Sequence, residues 1–226
     1  MTFHPLDRPV WSALTTRQAE FAVGGGRALR FAADVSPLSA VQDDSPESLA
    51  ALAGLIPPAS SVMVLVDRPI APPPGTAIAR TLPIVRMAAK SLIGGATSDG
   101  LQPLTDADAP EMLALATLTE PGPFLARTHK LGVFWGIKEN GRLLAMAGER
   151  LRPEGFTEVS GVCTHPDARG RGFARKLSAW VAHKIVARGE TPFLHSLTAN
   201  TNAIRLYESL GFTPWCEVTA VVLRNT

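Results

Sequence analysis

Apolar positions in the second half of the chain follow the period of an amphipathic helix in some segments and form short strand-like runs in others. In "GFARKLSAWVAHKIVARG", Ala174, Leu177, Val181 and Ile185 recur at intervals of three and four, which predicts a helix that ends at Gly189. The short runs "FTEVSGVCT", "PFLHSLTA" and "WCEVTAVVLR" indicate strands, and "NAIRLYESLG" indicates a second helix.

The rest of this half completes an alternating order. Glu139-Asn140-Gly141 lies between two apolar runs and predicts a β-hairpin. Before it, "LTDADAPEMLALATLTEPGP" predicts a short strand and a helix that starts at Asp106 or Asp108 and stops at Pro121-Gly122-Pro123. The resulting order, β–α–β–β–β–α–β–α–β, predicts a mixed sheet with helices on its faces.

The first half has its own strands and helix. "ALRFAADV" and "SVMVLVD" predict strands, and "SPESLAALAGLI" predicts a helix with Ser45 as its N-cap. "TAIARTLPIVRMAA" is extended, and Pro83 within it favours an edge strand or a bend. The glycines of "VGGGRALR" open onto a strand and predict a plain turn. The proline-rich segment 68–76 and the connector "LIGGATSDG" interrupt the pattern, and we predict two domains, 1–97 and 98–226.

Composition narrows the classes of function. The chain has 22 basic and 20 acidic residues, so the near-neutral charge of +2 argues against a nucleic-acid-binding surface. The two cysteines and five histidines lack the spacing of a zinc site or a disulfide framework, so no metal is expected. "MTFHPLDRPVW" lacks the pattern of a signal peptide, and the apolar run "SVMVLV" is too short to cross a membrane, so we expect a cytoplasmic protein.

The most informative segment is "HPDARGRGFARKL", which lies between a predicted strand and a predicted helix. A helix N-terminus offers unpaired N–H groups and a partial positive charge, which suit a diphosphate. Gly170 and Gly172 allow the backbone to approach an anion closely, while Arg169 and Arg171 add charged donors. Alone, such a loop is equally compatible with a solvated surface turn.

Two motifs together resemble the GNAT superfamily of acyl-CoA-dependent N-acyltransferases. The family's acyl-CoA loop, Gln or Arg followed by x-x-Gly-x and then Gly or Ala, is matched by Arg169, Gly172 and Ala174. Its later motif is matched by "NTNAIRLYESLGF", from Asn200 to Phe212. This resemblance covers residues 101–226 and implies a GNAT acyltransferase fold, an α/β mixed sheet, carrying an additional N-terminal α/β half. Some relatives, including the glycine N-acyltransferase-like branch, precede the catalytic domain with a degenerate copy of it, and we expect the same of the first half.

The resemblance implies that acetyl-CoA is the cosubstrate and lies along the strand from Glu158 to Thr164. Main-chain groups of Val162 and Thr164 would pair with its pantetheine arm, and one backbone N–H there would polarise the thioester carbonyl. Asn200 is expected either to hold the cosubstrate or to cap the following helix. The residues expected at the cosubstrate are Val162, Cys163, Thr164, Arg169, Gly170, Arg171, Gly172, Phe173, Ala174 and Asn200.

The resemblance also implies catalytic roles. Tyr207, the only tyrosine, matches the residue that protonates the departing thiolate, and the alternative is a packing residue between Leu206 and Leu210. Glu158 and Glu149 are the candidate bases for the acceptor amine, and each could instead be a solvated strand-end charge. Cys163 lacks a His-Asp arrangement, so a covalent acyl-cysteine is not expected.

These observations predict an N-acetyltransferase that moves an acetyl group to a primary amine by direct attack in a ternary complex. The acceptor is expected to be a small molecule or a peptide, without nucleic-acid or membrane partners. The alternative is a non-catalytic acyl-CoA-binding sensor.

Overall fold

A computed structural model describes residues 4–226, so the first three residues, which enter the signal-peptide prediction, lie outside the described part. Within it, the strands form one sheet in the order β1-β2-β3-β4-β11-β5-β10-β9-β8-β7-β6. The strands are β1 (Ala22–Gly25), β2 (Ala28–Phe31), β3 (Leu38–Val41), β4 (Ser61–Val66), β5 (Thr76–Ala88), β6 (Gln102–Leu104), β7 (Phe134–Glu139), β8 (Arg142–Glu149), β9 (Phe156–Thr164), β10 (Thr191–Leu197) and β11 (Thr213–Asn225). The α-helices are α1 (Pro9–Thr15), α2 (Pro46–Ala53), α3 (Ala109–Thr119), α4 (Phe173–Ala187) and α5 (Thr201–Glu208).

The element order predicted for the second half is confirmed, from β6 and α3 through α5 and β11. The β7–β8 hairpin turns at Asn140 and Gly141, both at positive φ, as the Asn-Gly signal predicted. In the first half, the Ser45 side chain accepts a hydrogen bond from Ser48 N–H and caps α2 as expected. The mixed α/β fold class is therefore confirmed.

The two halves interleave in the sheet. β5 of the first half lies between β10 and β11, and β11 of the second half lies between β4 and β5. The pairing of β5 with β11 extends from Ala88–Thr213 to Thr76–Asn225. The sheet thus crosses the predicted boundary at residues 97/98. Both halves contain a parallel β–α–β unit, β3–α2–β4 and β9–α4–β10, while the kinship of the first half to the second stays a prediction.

Pro83 lies inside the sheet, since β5 has neighbours on both sides, so the edge-strand expectation needs correction. The pairing of β10 with β5 ends at Leu197–Ile84, so Pro83, the residue that precedes Ile84 on β5, has no partner residue on β10. Thr198 N–H donates to Pro83 O, so the main chain of Pro83 faces the β10 side just beyond that strand's end. Its missing N–H therefore costs no ladder hydrogen bond.

Helices cover both faces of the sheet. Leu177, Val181 and Ile185 of α4 are buried in one core with Leu194 of β10. Phe193, the neighbour of Leu194, points to the opposite face and joins the core of α1. Helix α1, in which Val10, Ala13 and Leu14 are buried, was not predicted from the sequence.

Among the described residues, no helix is long and apolar enough to cross a membrane, and no group of His, Cys, Asp and Glu side chains is arranged to hold a metal ion.

Candidate active site

A wedge-shaped gap opens between β9 and β10 at the ends of these strands that lead into α4 and α5. The two strands pair in parallel only at Thr191–Phe156, Pro192–Thr157 and Phe193–Glu158. β9 then continues to Thr164 and β10 to Leu197 without further pairing to each other. The β10-facing edge of β9 beyond Glu158 is thus free of a neighbouring strand.

A bulge in β9 sets which groups face the wedge. Ser160 and Cys163 pair with Gly148 and Met146 of β8, so Gly161 and Val162 together lie opposite one residue. Gly161 has φ of +63°, and a Cβ there would lie 2.9 Å from the Phe134 ring, so both backbone and packing require glycine.

Main-chain N–H and C=O groups of successive strand residues point to opposite sides, and those of Val162 and Thr164 point toward the unpaired edge of β9. His165 N–H donates to Leu144 O of β8 at 2.7 Å, so the main chain of Thr164, one residue earlier, faces the other way. The hydroxyl of Thr164 is buried and has no hydrogen-bond partner among residues 4–226. A buried hydroxyl without a partner is costly, so Thr164 carries a polar group that the described residues leave unsatisfied.

Cys163 faces away from the wedge. It pairs with Met146 of β8 and packs in the core of α3 with Met112 and Phe134. Burial raises the pKa of its thiol to about 11, so it is protonated at neutral pH. Neither its side chain nor its main chain is placed to contact a ligand between β9 and β10.

The loop that precedes α4 is open to a ligand. Gly170 and Gly172 adopt φ of +77° and +76°, and no atom lies within 4 Å of a Cβ built at either position. Gly172 is the N-cap of α4, and no side chain caps the helix there. The first-turn N–H groups of Phe173 and Ala174 are therefore available to an anion.

The basic side chains of this loop differ in their contacts. Arg171 donates to both carboxylate oxygens of Glu139, at 3.0 and 2.5 Å, and its guanidinium lies 4.4 Å from the Phe173 ring centre. Arg175 donates to the Ser209 hydroxyl. Arg169 is exposed, and its side chain has no hydrogen bond or ion pair among the described residues. It is therefore the arginine of this loop most available to a phosphate.

Two predicted residues lie on α5. Tyr207 is 9% exposed and belongs to the same core as Val159 and Leu194, which lie next to the last β9–β10 pair. Burial raises the pKa of its hydroxyl to about 12. Asn200 caps the helix, because its side-chain oxygen accepts from Ala203 N–H at 3.2 Å.

Both candidate bases are held in ion pairs. Glu158 is fully buried and accepts from Arg150 at 2.9 and 2.7 Å. Burial alone would raise its pKa, but the charge and hydrogen bonds of Arg150, with the hydrogen bond from His195, hold the pKa of Glu158 well below its usual range. Glu149 is 3% exposed and lies 2.9 Å from Arg188. Each carboxylate is thus bound by an arginine, whereas a general base needs a carboxylate that is free to accept a proton.

Two residues beside Glu158 were not predicted from the sequence. His195 of β10 lies 2.7 Å from Glu158, and Arg86 of β5 donates to His195 at 2.9 Å. The available signal was a polar residue inside an otherwise apolar strand, Arg86 in "LPIVRMAA" and His195 in "PFLHSL". A buried polar side chain in a central strand requires partners, but the sequence does not name them.

Comparisons with known proteins agree with this geometry. The FR47-like protein family matches residues 134–220, which include β9, the glycine-rich loop and α5. A solved structure of a protein from Novosphingobium aromaticivorans DSM 12444, assigned as a GNAT-family acetyltransferase, is 43% identical over 99% of this chain and 100% of that one, with a TM-score of 0.93. The chain belongs to the GNAT family of acetyltransferases.

Shorter or more distant matches fit this GNAT assignment. Mycothiol acetyltransferases from Thermomonospora curvata and Thermobispora bispora are 36% identical over 77 residues and 48% identical over 60 residues. These segments cover 34% and 26% of this chain but only 26% and 20% of those relatives' own length. A GCN5-related N-acetyltransferase from Kribbella flavida, 18% identical over 95% of both chains with a TM-score of 0.61, shares the fold.

Proposed function

We propose that this protein transfers an acetyl group from acetyl-CoA to a primary amine, by direct attack in a ternary complex. The observation that carries the proposal is the wedge between β9 and β10, which leaves the edge of β9 unpaired beside the open N-terminus of α4. An unpaired strand edge next to an anion-binding helix start suits a donor that has an amide-bearing arm and a diphosphate.

The donor site uses this chain's main chain more than its side chains. The main-chain groups of Val162 and Thr164 pair with the amides of the pantetheine arm. The diphosphate lies at Gly170, Gly172, Phe173 and Ala174, where the helix dipole favours negative charge. Arg169 adds a charge-assisted hydrogen bond.

The acetyl thioester supplies an activated carbonyl to which an amine can add. A backbone N–H at the β9 bulge, that of Val162, donates to the carbonyl oxygen as negative charge develops there. Tyr207 stays protonated at neutral pH because its pKa is about 12. Since this value lies well above that of a thiol, its main contribution is a hydrogen bond to the developing thiolate rather than complete proton transfer.

The acceptor amine must lose a proton before or during attack. Glu158 and Glu149 are engaged by Arg150 and Arg188, so we assign them structural roles and leave the amine to release its proton to water. We propose a small-molecule or peptide amine as the acceptor. Small-molecule amines are tested first, because two relatives are named mycothiol acetyltransferases.

A calorimetric titration with acetyl-CoA tests the donor site, followed by thiol release with a panel of amines. We expect one-to-one binding, weakened about tenfold in Arg169→Ala because a hydrogen bond from a charged donor to phosphate is lost. Arg80→Ala, which removes an exposed arginine of β5, is the matched control and should bind as the wild type. Absence of binding by the wild-type protein would refute the proposal, whereas binding without turnover on any amine would favour an acyl-CoA sensor.

A further inference from the structure

Polar side chains form a continuous chain across the sheet on the face opposite α4. Arg86 of β5 contacts His195 of β10, His195 contacts Glu158 of β9, and Glu158 contacts Arg150, which follows β8. Arg86 is 2% exposed and Glu158 is fully buried, while the side chains of His195 and Arg150 are 5% and 11% exposed. The N-terminal segment covers this row of polar side chains, since Arg86 also donates a hydrogen bond to Leu6 O.

The contact between His195 and Glu158 lies where β9 and β10 separate. Phe193–Glu158 is the last backbone pair of the two strands, and His195 is two residues farther along β10. His195 Nδ1 is 2.7 Å from Glu158 Oε1, so a side-chain hydrogen bond spans the strands at the apex of the wedge. No main-chain hydrogen bond joins them beyond it in the described chain.

Arg86 fixes the form of His195 that can make this bond. Its Nε–H donates to Nε2 of His195 at 2.9 Å, so Nε2 must be unprotonated and Nδ1 carries the hydrogen. Nδ1–H then donates to the Glu158 carboxylate, while the Arg150 guanidinium holds both oxygens from the other side. Each member therefore orients the next.

We propose that Arg86 and His195 are positioning residues of the donor site: through Glu158 they fix the separation of β9 and β10, and with it the free edge of β9. This inference rests on the proposed binding of acetyl-CoA in the wedge. It assigns the first half of the chain a part in the donor site, because Arg86 belongs to β5. If only packing were needed at this position of β10, an apolar side chain would supply it, as Phe193 and Leu194 supply it next to His195.

The test uses His195→Leu, which removes both hydrogen bonds, and His195→Asn, whose amide can still donate to Glu158. The matched control is Arg17→Met, which removes a partly buried ion pair of 2.9 Å with Glu190, where β9 and β10 are still paired. Hydrogen exchange of the β9 amides 159–164 is measured without ligand, and acetyl-CoA affinity is measured by calorimetry.

We expect His195→Leu to speed exchange of these amides and to weaken acetyl-CoA binding about tenfold, the cost of a hydrogen bond to a charged group. The rate at saturating donor should change much less, and His195→Asn should recover most of the affinity. Arg17→Met should lower the melting temperature but leave the affinity unchanged.

Three results would overturn the inference: wild-type affinity in His195→Leu, equal loss of affinity in Arg17→Met, or no recovery in His195→Asn. If His195→Leu does not fold, His195→Asn and Arg86→Gln decide, because the first should bind acetyl-CoA more tightly than the second. Failure of the wild-type protein itself to bind acetyl-CoA is a different result and refutes the proposed function instead.

Discussion

Tyr207 illustrates how one side chain can serve both packing and chemistry. Its ring lies in the core of α4 and α5, with the Phe212 ring centre 6.0 Å away, yet its hydroxyl has no hydrogen-bond partner within residues 4–226. The packing role and the acid role considered for this residue are therefore compatible. The ring stabilises the helix, and the hydroxyl remains available to the donor.

Tyr207→Phe separates the two roles. Since the ring is kept and the hydroxyl makes no internal hydrogen bond, we expect an unchanged melting temperature and unchanged acetyl-CoA affinity. We expect the turnover number to fall about a hundredfold, as is typical when a hydrogen-bond donor to charge that develops in the transition state is lost. Steady-state kinetics with a responsive amine provide the measurement, and wild-type turnover would remove Tyr207 from the mechanism.

At this scale the sequence reveals some residues and conceals others. The loop glycines and Tyr207 could be found because each belongs to a local motif whose spacing is visible along the chain. Arg86 and His195 are 109 residues apart, and their contact depends on β5 lying beside β10. The ion pairs of Glu158 and Glu149 were concealed for the same reason, because their partners are fixed by packing rather than by spacing.

At the scale of elements, the start of α4 carries the diphosphate part of the proposed donor site. Gly172 combines a left-handed backbone, the N-cap position and open space around its Cα. A second glycine, Gly189, follows the end of the same helix with φ of +78° and similar open space. The two glycines thus share backbone strain but lie at opposite ends of α4.

This pair allows a controlled substitution. Gly172→Ala and Gly189→Ala should each destabilise the protein by about 1–2 kcal/mol, because a Cβ is disfavoured at positive φ. Only Gly172→Ala should also weaken acetyl-CoA binding, since its Cβ obstructs the approach of the diphosphate. Thermal unfolding and calorimetry on both variants provide the comparison, and equal affinities would argue against a diphosphate at this helix start.

Element order was predictable in the second half because turn residues and caps mark almost every boundary there. α1 was missed because it has only seven residues, too few for its apolar spacing to be distinctive. The position of β5 between β10 and β11 could not be predicted, because local periodicity identifies a strand but not its neighbours.

At the scale of the whole molecule, each half completes the sheet of the other. β5 closes the edge of β10, on which the donor wedge depends, and β11 fills the gap between β4 and β5. A fragment of either half would expose unpaired strands and the apolar cores that they cover. The predicted domains 1–97 and 98–226 would therefore be units of sequence that do not fold separately.

We expect fragments 1–97 and 98–226, prepared separately, to show no cooperative unfolding transition and no binding of acetyl-CoA. Mixed or co-expressed, they should assemble into one complex that binds acetyl-CoA, since the connector between β5 and β6 has no regular secondary structure. Circular dichroism and calorimetry are the measurements. A cooperative transition in fragment 98–226 alone would show that β5 is dispensable and that the second half is an autonomous domain.

The interleaving of β5 and β11 also limits the order of events during protein synthesis. β11 is the last described strand to leave the ribosome, yet it separates β4 from β5, which are made more than a hundred residues earlier. Until β11 arrives, β4 and β5 have no native partner at their facing edges, and pairing directly with each other would be a misfold. The nascent first half must therefore stay unfinished until β11 has been made, so folding depends on long-range closure and the open strand edges are available to chaperones and to aggregation during that interval.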